Sequence, residues 1–172
     1  MDLKAHIRQI PDFPKPGILF YDISTLLAHG AAWRETVDRV ADAVRAYRPD
    51  LLAAIESRGF IFAAPVAYQL GIGFTMVRKV GKLPGAVVSH AYDLEYGSDT
   101  LQVAEGLIPR GSRVVLIDDL LATGGTAQAA VELIRKVGAD VAGAVFLIEL
   151  MGLRGRSRLD VPMTTLLGYE GG

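Results

Sequence analysis

Two adjacent aspartates, followed by a short segment rich in glycine and threonine, are the side chains in this sequence best suited to chemistry. Asp118 and Asp119 come directly after a run of four apolar residues. After two leucines the sequence continues with Ala122, Thr123, Gly124, Gly125 and Thr126. Residues 127–137 carry apolar side chains at about one-turn spacing, which predicts a helix. The sequence therefore predicts a buried strand, a tight loop and a helix, with the polar residues at the carboxyl end of the strand, where open α/β sheets bind their ligands.

The predicted loop has the composition of a phosphate-binding site. Backbone N–H groups at the start of a helix are unpaired, and the positive end of the helix dipole favours an anion. Glycines let the backbone approach that anion closely, and the hydroxyls of Thr123 and Thr126 add hydrogen-bond donors. Carboxylates beside such a loop are acceptors suited to ribose hydroxyls, so the combination favours a sugar phosphate. The alternative interpretation is a strand that ends in solvated acids and a flexible turn.

Two common nucleotide-binding motifs do not describe this segment. A Walker loop would read Gly-x-x-x-x-Gly-Lys-Ser/Thr, and no lysine follows these glycines. The dinucleotide fingerprint Gly-x-Gly-x-x-Gly is also absent from the sequence. The ligand is therefore not predicted from either motif.

Cationic side chains follow two other predicted strands. Arg58 lies at the turn between the strand predicted at residues 51–55 and the helix after it, and a guanidinium is well suited to phosphate oxygens. Arg78, Lys79 and Lys82 follow the strand predicted at residues 74–78, on a loop rich in glycine and proline. These cations could bind a second phosphate group, although a cationic run is more often a solvated surface.

The order of the predicted elements favours an α/β domain with a mostly parallel sheet flanked by helices. Apolar runs typical of buried strands alternate with amphipathic helical segments, of which residues 33–47 are the clearest. Residues 1–30, with a short helix expected at 3–10 and prolines after it, are predicted to form a small N-terminal hood. Residues 86–106 are predicted to form a flexible β-hairpin lid. We expect residues 1–172 to form one domain.

The composition excludes several classes of protein. Among 172 residues, 51% are hydrophobic and 22% are charged, which excludes a disordered chain. The net charge of −1 gives no reason to expect nucleic acid as a partner. With no cysteine and three scattered histidines, a thiolate nucleophile is excluded and a histidine-rich metal centre is not favoured. No apolar stretch resembles a signal segment or a membrane span, so a soluble cytoplasmic protein is expected.

Residues 118–126 resemble, without a gap, the phosphoribosyl diphosphate (PRPP) binding motif of type I phosphoribosyltransferases. This resemblance implies that Asp118 and Asp119 bind the ribose hydroxyls and that the loop binds the 5′-phosphate. Four further segments, in the same order as in the family, resemble its adenine-specific branch. These are the hood at 14–23, the diphosphate loop at 57–60, the cationic loop at 78–85 and the mobile catalytic loop at 92–97.

The resemblance also implies a role for individual residues. Leu19, Phe20 and Tyr21 would contact adenine, with Phe20 stacking on the purine; the residue after that aromatic is commonly arginine in the family and is tyrosine here. The diphosphate would be bound by Arg58, Arg78, Lys79 and Lys82. The predicted catalytic residues are Glu95, Arg58, Asp118 and Asp119. Glu95 would be the carboxylate that accepts the proton from the purine.

The implied reaction transfers the 5-phosphoribosyl group of PRPP to N9 of adenine and yields AMP and diphosphate. Mg²⁺ would be held by PRPP and water rather than by a protein site, because this ion prefers substrate oxygens and retains its waters. A homodimer without a nucleic-acid or membrane partner is implied. Two alternatives remain open: a phosphoribosyltransferase for hypoxanthine, guanine or xanthine, whose 6-oxo group needs a donor, and a PRPP-sensing regulator that binds nucleic acid.

Overall fold

Parallel strands form the centre of the structure, which is a computed structural model that describes residues 1–94 and 96–171. The strands are β1 (Arg8–Pro11), β2 (Leu19–Asp22), β3 (Leu51–Ile55), β4 (Gly73–Lys79), β5 (Val87–Leu94), β6 (Gly97–Ala104), β7 (Arg113–Leu121), β8 (Asp140–Leu150) and β9 (Met163–Tyr169). The helices are α1 (Ser24–Ala28), α2 (Gly30–Ala46), α3 (Arg58–Leu70) and α4 (Gly125–Lys136). Short 3-10 turns occupy Leu3–His6, Met151–Leu153 and Gly155–Arg158.

Seven of these strands form one sheet in the order β5-β6-β4-β3-β7-β8-β9. The five strands from β4 to β9 in that order pair in parallel, and β5 and β6 form an antiparallel hairpin at one edge. The predicted α/β fold with a mostly parallel sheet flanked by helices is therefore confirmed. The hairpin occupies the region predicted as a lid, and its strand β6 pairs with the end of β4 at Arg78 and Lys79.

Helices cover both faces of the sheet, which explains the continuous apolar runs in its central strands. Successive side chains of a strand point to opposite faces. In β7, Val115 and Ile117 accordingly pack against α2 and α3 on one face, while Val114 and Leu116 pack against α4 on the other. All four side chains are buried, so β7 is fixed from both sides and its carboxyl end is held in a defined position.

The first residues of the chain differ from the prediction. The helix expected at residues 3–10 is wrong, because only Leu3–His6 form a 3-10 turn and β1 follows it. Strand β1 pairs antiparallel with β2 in a separate two-stranded sheet. Arg8 of β1 also forms an ion pair with Asp22 of β2, with 2.5 Å between Nη2 and Oδ2. These cross-strand contacts favour the extended conformation over the helix.

No helix within residues 1–94 and 96–171 is long and apolar enough to cross a membrane.

Candidate active site

A cleft of about 450 Å³ lies at the carboxyl ends of β3, β4 and β7. The residues that line this main cleft are Ile55, Glu56, Ser57, Arg58, Lys79, Asp118, Asp119, Leu120, Leu121, Ala122, Thr123, Gly124, Thr126 and Ala127. The segments predicted to bind ribose and phosphate are thus brought together with two of the predicted cations. This position matches the expectation that ligands of an open α/β sheet bind beyond the carboxyl ends of its strands.

The two aspartates lie inside β7 rather than after it. Strand β7 continues to Leu121, because Leu120 and Leu121 still pair with the long strand β8. The loop is correspondingly short, and α4 begins at Gly125, earlier than the predicted start at residue 127. The extended backbone makes the side chains of Asp118 and Asp119 point to different sides of the sheet, so they are expected to contact the ligand differently.

The aspartates form a small network of charged and polar groups. Arg58 Nε donates to Asp119 Oδ2 over 2.5 Å, and the Asp119 backbone N–H donates to Asp118 Oδ1 over 2.8 Å. Burial, followed by the nearby negative charge of Asp119, raises the pKa of Asp118 well above its ordinary value. Asp119 is therefore the aspartate with a paired positive charge, and Asp118 is the one that holds a proton more readily.

The segment at residues 122–126, which we call the phosphate loop after its predicted ligand, is fixed by a close approach between two glycines. Gly124 has a φ of +86°, a left-handed conformation that favours glycine. A Cβ atom added to Gly124 would lie 2.5 Å from the carbonyl oxygen of Gly155. The reverse also holds, because a Cβ atom on Gly155 would overlap the carbonyl oxygen of Ala122. Backbone therefore packs directly on backbone, and the loop can present its N–H groups to the cleft.

This role of Gly155 was not predicted from the sequence, in which residues 154–158 show only a basic turn. The only signal was a glycine between arginines. Arg156 of this turn is not a free surface residue, since it pairs with the buried Glu149 at 2.8 Å. The guanidinium of Arg158 lies beside Gly125, at 3.3 Å from where a Cβ atom would be.

Only two of the four cations predicted to bind diphosphate line the main cleft, namely Arg58 and Lys79. Arg78 does not line the cleft: its Nε lies 3.3 Å from Oε1 of the lining residue Glu56, and its guanidinium lies over the ring of Phe60. Lys82 is exposed on the turn that follows β4 and is not among the lining residues. Sequence proximity to Lys79 therefore did not place these two side chains in the cleft.

A second, smaller cavity of about 120 Å³ lies between the hood and the sheet, and we call it the hood pocket. Its residues are Ile18, Leu19, Phe20, Tyr21, Arg58, Asp119, Leu120, Ile148 and Leu150. The three residues predicted to contact the base are thus in one pocket, opposite the ends of β7 and β8. Arg58 and Asp119 line both cavities, so the hood pocket adjoins the main cleft.

Phe20 and Tyr21 have different surroundings within the hood pocket. The ring of Phe20 lies 5.1 Å from that of Phe13, edge to face, and 6.0 Å from the Arg58 guanidinium. The ring of Tyr21 instead packs on the ring of Tyr169 in β9, with centroids 4.2 Å apart. Tyr21 therefore joins the hood to the last strand of the sheet.

The hairpin approaches the phosphate loop from the side of α4. The hydroxyl of Tyr92 lies 3.4 Å from Oγ1 of Thr126. Lys136 of α4 donates to the carbonyl of Ser89 over 2.7 Å. Glu95, the predicted proton acceptor, comes between β5 and β6 in the sequence and lies outside the described residues.

Comparison with known proteins assigns the chain to a family. The family model described as "Phosphoribosyl transferase domain" matches residues 22–165. An adenine phosphoribosyltransferase of Rhodospirillum centenum is 61% identical over 170 residues, which cover 99% of each chain. The crystal structure of adenine phosphoribosyltransferase from Thermoanaerobacter pseudethanolicus has a TM-score of 0.94 and 46% identity over 98% of each chain.

A third similar protein is the adenine phosphoribosyltransferase of Saccharomyces cerevisiae, solved with an imino-altritol bisphosphate and adenine. It has a TM-score of 0.90 and 40% identity, covering 96% of this chain and 97% of the yeast chain. The chain therefore belongs to the phosphoribosyltransferases and, among these, to the adenine phosphoribosyltransferase family. The prediction of a phosphoribosyltransferase enzyme is confirmed at this level.

Proposed function

We propose that the protein transfers the 5-phosphoribosyl group of PRPP to N9 of adenine and releases AMP and diphosphate. The observation that carries this proposal is that the hood pocket and the main cleft meet at Arg58 and Asp119. A base in the hood pocket would therefore lie beside a ribose phosphate in the main cleft. In the reaction, the bond from C1′ to the diphosphate oxygen breaks, and a bond from C1′ to N9 forms.

The main cleft would orient the sugar phosphate. Asp118 and Asp119 would accept hydrogen bonds from the ribose hydroxyls, and the 5′-phosphate would bind at the loop before α4. As the diphosphate departs, positive charge develops on C1′ and the ring oxygen. The negative charge of Asp119 would stabilise this positive charge. Fixed charges and correct positioning account for most of such a rate enhancement.

The diphosphate would be bound by Arg58 and Lys79, the two cations of the main cleft. Mg²⁺ would be carried by the diphosphate and would supply charge neutralisation. Carboxylate and substrate oxygens are the donors this ion prefers, so Asp118 and Asp119 are compatible with it. Within residues 1–94 and 96–171 there is no group of three or more side chains arranged to hold a metal alone.

The hood pocket would hold adenine between Phe20 and the apolar side chains of Leu120 and Ile148. A 6-oxopurine would require a donor there. The described part of the pocket offers one cationic side chain, Arg58, whose Nε already donates to Asp119. Adenine is therefore the base that we propose. Glu95 would accept or steady the N9 proton, a role that rests on the resemblance of its loop.

We also propose a homodimer, because an apolar surface lies beside α3. Ile61, Phe74 and Met76 are large apolar side chains that remain exposed in the single chain. Phe74 and Met76 face the same side of the sheet as Leu52 and Ala54, their partners in β3, but α3 does not cover them. Contiguous exposed apolar surface often marks an interface. Light scattering should give twice the monomer mass, and Met76→Lys should lower the measured mass toward that of the monomer.

For the location of the protein, we propose the cytoplasm.

The test of the main proposal is a spectrophotometric assay with PRPP and Mg²⁺, run in parallel with adenine, hypoxanthine, guanine and xanthine. Turnover of adenine alone is expected. Turnover of a 6-oxopurine would support the proposed phosphoribosyl transfer but contradict adenine as the base. Binding of PRPP without turnover of any base would instead favour the alternative of a PRPP-sensing regulator.

A further inference from the structure

A charged contact connects the hairpin directly to a residue of the main cleft. Oδ2 of Asp99, in β6, lies 2.6 Å from Nζ of Lys79. The other polar contacts described for the hairpin differ from this one. Ser89 and His90 contact α4 at side chains that do not line the cleft, and Tyr92 meets Thr126 as a neutral pair. The contact of Asp99 is therefore the one that a charged ligand would affect most.

Both partners of this contact are charged at neutral pH. The hydrogen bond from Lys79, together with that from the Thr100 N–H, lowers the pKa of Asp99. The same bond to Asp99 raises the pKa of Lys79, against the opposing effect of partial burial. Oδ1 of Asp99 accepts from the Thr100 backbone N–H over 2.8 Å. The carboxylate is thus oriented with its other oxygen toward the ammonium.

This arrangement conflicts with the binding of a diphosphate by Lys79. The carboxylate already accepts from the ammonium, and its negative charge repels an incoming anion. A diphosphate carries more than one negative charge and is also held by Arg58, so it competes favourably for the ammonium. The side chain of Lys79 is about half exposed and can turn from one acceptor to the other.

We propose that Asp99 is a positioning residue that occupies the diphosphate's place on Lys79 before PRPP binds, and that the diphosphate displaces it. Binding of PRPP would then release one of the contacts that hold β6, so that the charge of the substrate acts on the hairpin. This inference rests on the proposed function, because it requires Lys79 to bind the diphosphate.

The test is the variant Asp99→Asn, which keeps the size of the side chain and removes its charge. Calorimetric titration with PRPP and Mg²⁺ should show a Kd about two- to five-fold lower than that of the unaltered protein, the factor expected when one partly exposed ion pair no longer has to be broken. Ribose 5-phosphate lacks the diphosphate, so its Kd should not change. Glu105→Gln, which neutralises an exposed carboxylate just after β6, should leave both values unchanged.

The second measurement asks whether the effect passes through Lys79. Lys79→Ala should weaken PRPP binding, and Asp99→Asn should give no further gain in that background, because the interaction is already absent. A gain of equal size in both backgrounds would mean that Asp99 acts only by general repulsion, and it would overturn the proposal.

Three other outcomes are informative. If Asp99→Asn weakens PRPP binding, Asp99 directs Lys79 toward the ligand, and the proposal is overturned. If the variant binds PRPP with an unchanged Kd, no exchange of partners takes place, which also overturns it. If the unaltered protein does not bind PRPP, the proposed function itself is wrong, and the inference that rests on it falls too.

Discussion

The Nε atom of Arg58 and the Oδ2 atom of Asp119 lie 2.5 Å apart at the boundary between the main cleft and the hood pocket. Arg58 is the first residue of α3, and Asp119 is near the end of β7. The ion pair therefore joins two segments that are 61 positions apart in the sequence. Its charges lie where sugar, diphosphate and base would meet, so changes here should affect PRPP binding first.

Replacing Asp119 by asparagine should weaken PRPP binding by about 10- to 100-fold, the range expected for the loss of a hydrogen bond to a charged group. The change removes an acceptor for the ribose and leaves Arg58 without its partner. Calorimetric titration with PRPP measures the effect. Asp160→Asn, at an exposed aspartate paired with Arg135, is the matched control and should bind normally. Full affinity in Asp119→Asn would refute the ribose contact.

Replacing Phe20 by alanine should raise the KM for adenine by about 5- to 100-fold, as expected for the loss of aromatic stacking on a base. The Kd for PRPP should stay nearly unchanged, because Phe20 lines the hood pocket and not the main cleft. Phe13→Ala, which removes the aromatic neighbour of Phe20, serves as the comparison and should have the smaller effect. Equal losses for both substrates would mean that Phe20 is structural.

Replacing Gly155 by alanine should displace the phosphate loop, because the added methyl group would overlap the carbonyl oxygen of Ala122. We expect a loss of about 1–3 kcal/mol in the free energy of unfolding, together with weaker binding of ribose 5-phosphate. Denaturant unfolding and calorimetric titration measure the two effects. Gly30→Ala is the control, since a Cβ atom there meets nothing within 4 Å. A normal affinity for ribose 5-phosphate would show that the loop does not depend on this packing.

Replacing Asp118 by asparagine should stabilise the protein at neutral pH while it impairs PRPP binding. The pKa of Asp118 is raised in the folded state by burial and by Asp119, so the folded protein binds its proton more tightly than the unfolded chain. Below the unfolded pKa of 3.8, Asp118 is protonated in both states and does not destabilise the folded protein. The destabilisation develops as the pH rises through the raised pKa of the folded state, where the buried carboxyl group must ionise. Thermal unfolding at several pH values should show the gain in Tm disappearing in acid. A lower Tm at pH 7 would contradict this.

Replacing Glu95 by glutamine should lower kcat more than it changes the Kd for PRPP, because the carboxylate is proposed to act on the purine proton. General acid–base groups typically contribute about 100- to 10,000-fold. Single-turnover kinetics would separate chemistry from binding. Glu105→Gln, at an exposed carboxylate after β6, is a suitable control. An unchanged kcat would exclude the proposed role.

The sequence predicted those parts of the fold and site that depend on local patterns. The apolar run of β7, the acids after it and the loop before α4 lie together in the chain, so their types and spacing were sufficient. Arg58 was recognised for the same reason, because it lies at the junction of a strand and a helix.

The remaining features depend on contacts between distant segments. The pairing of β7 with β8 placed Asp118 and Asp119 inside a strand, and the packing of Gly155 on Gly124 has no local signature. Arg78 is held by Glu56 and the ring of Phe60, and Lys82 lies on an exposed turn. Neither position could be predicted from the residue types. The pairing of β1 with β2 likewise overrode a short helical pattern.

The hairpin is attached to the sheet in a way that divides it into two parts. Its strands pair with each other at eight positions, but β6 pairs with β4 only at Gln102 and Leu101. Leu101 and Val103 are buried in the core, whereas the positions near the turn are mostly exposed. We therefore expect the part of the hairpin around Leu101 and Val103 to move only with the sheet, and the exposed ends of its two strands, at residues 91–94 and 97–98, to move on the nanosecond to microsecond timescale of loops. These strand ends can then respond to a ligand while the sheet beneath them stays fixed.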